Sequence, residues 1–182
     1  MQFVKTASCI TCGAEHAPKP DITTCKSCGG ILEIDYDYKA IAAGISPAAL
    51  ADRRDPTMWR YREFLPVESN TDTAGLRVGG SPLYRADRVA ERLGLKTLYV
   101  KEDGLNPTSS LKDRASAMAV AKAVEAGAST IACSSTGNAA SSLAGNAAAR
   151  GLATYIFVPS RAPQGKVAQL LVFGANVISV QG

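Results

Sequence analysis

The sequence predicts an α/β protein in which a small cysteine-bearing module precedes part of a parallel, helix-flanked sheet. Three observations carry that prediction. Two Cys-x2-Cys pairs, Cys9/Cys12 and Cys25/Cys28, lie near the start of the chain. From Leu98 onward, short β-type runs alternate with Ala-rich helical runs, the spacing of strand–helix–strand units in a parallel sheet. Glycine and proline fall where those runs should stop.

Residues 1–34 carry little periodicity. The two cysteine pairs are separated by twelve residues. Two such knuckles can set four thiolates tetrahedrally around one zinc ion. Gly13 follows the first pair and Gly29-Gly30 the second, which lets the backbone turn tightly after each. The segment is too small to bury a useful core, so bound metal is its expected folding force. Four thiolates leave no open coordination position, so the metal would be structural. The alternative is a knuckle that has lost its metal or replaced it with disulfides. His16, the one histidine of the chain, reads as a solvated loop residue. Residues 35–96 mix charge, aromatics and turns. There Trp59 and Tyr61 read as packing anchors, and Gly79-Gly80-Ser81-Pro82 as a turn or substrate-side loop before a helix.

Beyond this the elements follow in order. Thr97–Lys101 is predicted as a strand, and Asp113–Ala126 as a helix with Met118, Ala121 and Val124 on one side. Gly127 stops that helix. Ser129–Ser134 is a strand, Ala139–Arg150 a helix ended near Gly151, and Ala153–Val158 a strand closed by Pro159. Pro163–Phe173 is a helix with proline near its first turn, and Asn176–Gln181 a last strand. Cys133 reads as a small hydrophobe within its strand. The chain stops directly after a strand, so it is expected to be part of a longer protein.

Composition narrows the function. The formal charge of +4 suits an anionic substrate without resembling a nucleic-acid tail, since Asp52 and Asp55 flank the densest basic pair, Arg53-Arg54. One histidine excludes most histidine-base hydrolase schemes and His-rich catalytic metal sites. The longest apolar runs are too short to cross a bilayer and no secretion signal is evident, so a cytoplasmic protein is expected.

Two loops carry the chemistry. The first is Asn106-Pro107-Thr108-Ser109-Ser110-Leu111-Lys112-Asp113-Arg114. Pro107 keeps Asn106 extended, and Ser110 with Asp113 has the spacing of a capping box. Lys112 therefore falls in the first turn of a helix, where a cation is disfavoured and a neutral, nucleophilic amine is favoured. The second is Ser134-Ser135-Thr136-Gly137-Asn138-Ala139-Ala140-Ser141, joining a strand to a helix. Free N–H groups and the helix dipole converge there on an anion site. Ser135 and Thr136 add hydroxyls suited to a carboxylate, and Asn138 an amide able to donate to a phenolate-type oxygen. Taken singly, each has a plain alternative: a solvated lysine paired with Asp113 or Glu102, and a capped turn.

Together the two loops resemble the pyridoxal-phosphate enzymes of fold type II, the tryptophan synthase β-subunit fold, and within them the threonine synthase branch. Trp59-Arg60-Tyr61-Arg62-Glu63, Gly79-Gly80-Ser81-Pro82-Leu83, Tyr99–Leu105, and Gly165-Lys166 ahead of Phe173-Gly174-Ala175 add to the likeness, as does the N-terminal zinc ribbon. The resemblance implies that Lys112 carries pyridoxal phosphate as a Schiff base and acts as catalytic base. Asn138 would bond the cofactor's 3′-oxygen. Ser135 and Thr136 would hold the substrate carboxylate, with Ser110 also on the substrate side. It implies conversion of O-phospho-L-homoserine and water to L-threonine and phosphate by a lyase of amino-acid biosynthesis, a homodimer at full length. The implied division is a zinc ribbon at 1–34 held by Cys9, Cys12, Cys25 and Cys28, the N-terminal part of the large cofactor domain at 35–115, and the start of a small α/β domain at 116–182. The loop for the cofactor phosphate and the partner of the pyridine nitrogen would lie past residue 182, so the piece by itself is expected to be inactive. Departures from the pattern are Leu111 in place of Phe, Ala139 in place of Thr, and Ala115-Ser116 in place of a frequent Gly. Cysteate synthase, threonine dehydratase and cysteine synthase share the cofactor and are the alternative readings. A non-catalytic zinc-ribbon binding protein is the alternative of a different class, opposed by the ribbon's few basic residues, Lys19 and Lys26.

Overall fold

Strand β1 (Val4–Cys9) lies between two antiparallel neighbours, β2 (Glu15–His16) and β3 (Leu32–Tyr36), with Ala7 opposite both His16 and Ile34. In this computed structural model, residues 1–19 and 22–181 are described. They divide into two compact units, Met1–Thr73 with Ala121–Gly127, and Ala74–Val120 with Ala128–Gly182.

In the first unit, the three-stranded sheet leads into α1 (Tyr38–Gly44) and α2 (Pro47–Asp52). Both begin where a side chain takes up a first-turn N–H: Asp37 accepts from Ala40 at 3.0 Å, and Ser46 from Ala49 at 3.1 Å with Pro47 just inside. A 3-10 segment, Met58–Phe64, follows. Trp59 is buried there, as its packing role requires, but Tyr61 is 47% exposed, so it is no packing anchor. Its ring instead sits under the Arg60 guanidinium, 5.4 Å from the centroid. The basic pair resolves in the same way: Arg53 forks onto Glu63 through bonds of 2.6 and 2.7 Å.

The second unit holds the parallel sheet. Strands β6 (Thr130–Ser134), β7 (Ala153–Pro159) and β8 (Asn176–Val180) run parallel in that order, joined by α5 (Asn138–Ala148) and α6 (Gln164–Val172). Thr154, Ile156 and Val158 of β7 are buried, and Ile156, Val158, Ala140, Ala144, Leu170 and Ala175 form the core, with Cys133 packed against it. Small alanines on α5 let the helix lie close on the strands. Both helices end as the glycines predicted. Gly151 and Gly174 have φ of 68° and 76°, and the next N–H reaches back to Ala147 or Leu170, each at 3.1 Å.

One predicted strand is placed differently. The segment Thr97–Lys101 shortens to β5 (Tyr99–Lys101) and pairs antiparallel with β4 (Leu83–Arg85), outside the parallel sheet, with α3 (Asp87–Arg92) between them. The thirteen-residue gap between β4 and β5 is bridged by a helix of under two turns, which returns the chain as a hairpin. α4 (Lys112–Glu125) begins one residue before its predicted start.

Candidate active site and cysteine cluster

The lysine loop is built by burying alternate residues. Asn106, Thr108, Ser110 and Asp113 are buried, while Leu111 and Lys112 are exposed. Asn106 is extended, as Pro107 requires. It accepts the Gly79 N–H at 2.9 Å and donates to the Asp103 carbonyl at 2.8 Å. Ser110 accepts the Lys112 N–H at 3.1 Å, but Asp113 does not complete a capping box. Its fully buried carboxylate turns inward to accept the Thr108 N–H and hydroxyl, both at 2.8 Å, and the Asn146 amide at 2.9 Å. A buried carboxylate needs several donors, and Thr108 with α5 supplies more than the Ser110 N–H could.

The same bonds join the lysine loop to α5. Ser116 and Ser142 share a hydrogen bond, and Asn146 is held in turn to the Ser142 carbonyl at 2.9 Å. Gly145 makes this approach possible: a Cβ there would lie 2.7 Å from Thr108 Cγ2. Sequence reasoning did not find Thr108, Ser142, Gly145 or Asn146 as site-building residues. For Ser142 and Asn146 the signal is their place as polar residues inside an Ala-rich helix, since buried polar groups demand partners.

The Asn138 loop leaves the carboxyl end of β6, where open parallel sheets bind their ligands. Gly137 donates its N–H to Ser135 Oγ at 3.1 Å, and Ser135 and Thr136 are half-buried. Lys112 and Ala139, the residue after Asn138, line one recess of about 160 Å³ together with Ala115, Ser116, Ala119 and Leu143. The lysine is thus brought to the start of α5, over a floor of small side chains. Lys166, in the first turn of α6, donates to Asn138 Oδ1 at 2.9 Å. The Gly79–Pro82 loop is pinned nearby in chain terms: Ser81 bonds Asp103, and Arg114 forks onto Asp103 at 2.8 and 2.9 Å. Hydrogen bonds from Arg114, and then from Ser81, hold the Asp103 carboxyl well below the usual range.

Residues 75–182 match the family described as pyridoxal-phosphate dependent enzyme. The chain belongs to this family. Over 175 residues it is 43% identical to the threonine synthase of Methanosarcina acetivorans and 42% identical to that of Methanocaldococcus jannaschii, covering 96% of this chain in both cases. It spans 42% and 43% of those relatives' lengths. Among solved structures, an O-ureido-L-serine synthase matches with a TM-score of 0.52 and 27% identity over 64% of this chain and 37% of its own. A serine racemase from Dictyostelium discoideum matches with a TM-score of 0.53 and 27% identity over 56% of this chain and 33% of its own. The family implies pyridoxal phosphate. The site fits such a group in having an exposed lysine beside a recess lined mostly by small residues at a helix start.

The four N-terminal cysteines come together as the spacing predicted. Their sulfurs all lie within 4.8 Å of one another, with separations of 3.4 Å (Cys12–Cys28), 3.5 Å (Cys9–Cys28) and 3.6 Å (Cys12–Cys25). A disulfide would need about 2.0 Å. A tetrahedron with metal–sulfur arms of about 2.3 Å has edges of about 3.8 Å. The Thr11 and Ser27 N–H groups each reach a sulfur, Cys9 and Cys25, at 3.4 Å, so each knuckle turns its backbone dipoles on a thiolate. Gly30 leaves room for this: a Cβ would lie 2.8 Å from Cys9 Sγ. The set fits a metal ion. The thiols also disagree in their protonation. Burial pushes Cys25 up, but bonds from His16 and from two backbone N–H groups outweigh it and bring the thiol down to about 5. At Cys28 the Gly30 N–H favours the thiolate, yet the neighbouring Cys12 and Cys9 sulfurs push it up to about 12. A dication removes that conflict by taking all four as thiolates. His16 is not a solvated loop residue: it lies in β2 with Nε2 3.3 Å from Cys25 Sγ. Its strand pairing with Ala7 carries it to the cluster, a placement that local sequence does not encode.

Among the described residues, no helix is long and apolar enough to cross a membrane.

Proposed function

We propose that the whole protein is a threonine synthase, converting O-phospho-L-homoserine and water to L-threonine and phosphate. The observation that carries this reading is the recess shared by Lys112 and the start of α5, in a chain 42–43% identical to two threonine synthases. When bound, pyridoxal phosphate supplies an electron sink for charge developing on the substrate carbon skeleton. Lys112 would hold the cofactor covalently, and its amine would be the group that moves protons at the substrate's Cα and Cβ. Asn138 would donate from Nδ2 to the cofactor's 3′-oxygen. Ser135, Thr136 and the N–H groups opening α5 orient the substrate carboxylate. Ser110 accepts the Lys112 N–H through Oγ, which leaves its own hydroxyl proton for the substrate side. The substrate is a phosphorylated amino acid, and the full-length assembly a homodimer. The chain divides into a ribbon at 1–34, a cofactor-domain segment at 35–115 and a small-domain segment at 116–182. Cys9, Cys12, Cys25 and Cys28 hold structural zinc, because four sulfur donors at tetrahedral spacing suit that ion.

Borohydride reduction of the full-length holoenzyme, followed by peptide mapping, tests the assignment. The pyridoxyl label is expected on Lys112 and absent from Lys112→Ala; a label on another lysine would overturn it. Phosphate release from O-phosphohomoserine is expected, and turnover of O-phosphoserine in its place would favour cysteate synthase.

A further inference from the structure

We propose that Lys166 is a positioning residue for Asn138, fixing which arm of its amide faces the cofactor. This rests on the reading that Asn138 contacts the cofactor. The Lys166 ammonium donates to Asn138 Oδ1 at 2.9 Å across 28 residues of sequence. The two arms of an asparagine amide are nearly the same size, so packing alone selects poorly between them. An ammonium has three donors and no acceptor. Turning the amide over would set NH2 against NH3⁺, two donors face to face. Lys166 therefore admits one orientation, with Oδ1 toward itself and Nδ2 on the other arm of the fork.

The placement of Lys166 points the same way. It is the third residue of α6, whose first turn is fixed by the Lys166 N–H bonding Pro163 O at 2.9 Å. A cation in the first turn opposes the helix dipole, so helix stability does not account for it. Among the described residues its ammonium has no carboxylate partner. The bond instead ties the first turn of α6, which follows β7, to the first residue of α5, which follows β6, at the carboxyl edge of the parallel sheet. A positive charge on the acceptor arm also polarises the amide, making Nδ2–H a better donor to an anionic oxygen.

The experiment compares Lys166→Met, Lys166→Arg, Asn138→Ala and the Asn138→Ala/Lys166→Met pair in the full-length holoenzyme. The readouts are the positions and relative intensities of the cofactor's visible absorption bands, with kcat and KM measured separately. Lys166→Met is expected to change the bands in the direction of Asn138→Ala and to lower kcat about tenfold, the scale of outer-shell partners, with little change in KM. Lys166→Arg restores the bands, because a guanidinium also only donates. The double variant is no worse than Asn138→Ala alone, since the two act in series. Wild-type bands in Lys166→Met alongside altered bands in Asn138→Ala would overturn the inference. Wild-type bands in Asn138→Ala would overturn the cofactor role of Asn138 and this inference with it.

Discussion

Asp113 is the residue on which the geometry of the lysine loop most depends. It lies one position past Lys112, is fully buried, and accepts three bonds from Thr108 and Asn146. Each donor is itself buried, so losing the acceptor would leave unsatisfied groups as well as removing a bond. Asparagine in its place has the right shape but half the accepting capacity. Its NH2 would meet the Thr108 N–H or the Asn146 amide donor to donor. Asp113→Asn is expected to lower stability by about 2–3 kcal/mol, read as a shift in the urea midpoint. An unchanged midpoint would mean that these bonds do not hold the loop.

At the scale of elements, α4 and the Gly79–Pro82 loop are joined through Asp103, which takes the fork of Arg114 and the hydroxyl of Ser81. Its carboxyl is depressed in the folded state, so the stabilisation is complete above the unfolded value near pH 4 and is lost as pH falls below it toward the folded value. The side chains of Asp103 and Arg114 are 22% and 35% exposed, and solvent screening keeps the effect modest. Asp103→Asn is expected to be less stable by about 1 kcal/mol at pH 7, with the gap narrowing at pH 3. A gap that stays constant between the two would exclude the ion pair as its source. This pair also marks what sequence conveys and what it does not. Helix and strand limits from Asp113 onward are legible because apolar period, proline and glycine act locally, and α5, β7 and α6 fall within about two residues of expectation. The lysine and Asn138 loops are legible for the same reason. The pairing of β5 with β4, the inward turn of Asp113, the contact of His16 with Cys25 and the reach of Lys166 to Asn138 each depend on partners far along the chain. Such partners are chosen by tertiary packing, which no local pattern specifies.

The two units differ in what holds them together. The parallel sheet of the second has a contiguous apolar core, Ile156, Val158 and Leu170 among its members, and its interior strand β7 is paired on both edges. The cysteine-bearing part of the first, around β1 to β3, buries little apolar surface beyond Ala7, Cys9 and Cys25. Two of those three belong to the four-cysteine cluster, so the cluster stands where a hydrophobic core would otherwise be. The contrast predicts a selective response to metal removal. A strong chelator is expected to raise hydrogen–deuterium exchange across residues 4–36 while peptides from β6 to β8 stay protected. Metal is expected to leave His16→Ala faster than wild type, because the ring beside Cys25 Sγ helps hold that thiolate in place. Both effects follow if metal binding and ribbon folding are one equilibrium. Unchanged exchange across residues 4–36 after the metal has been removed, measured in the same sample, would show that the ribbon folds on backbone pairing alone.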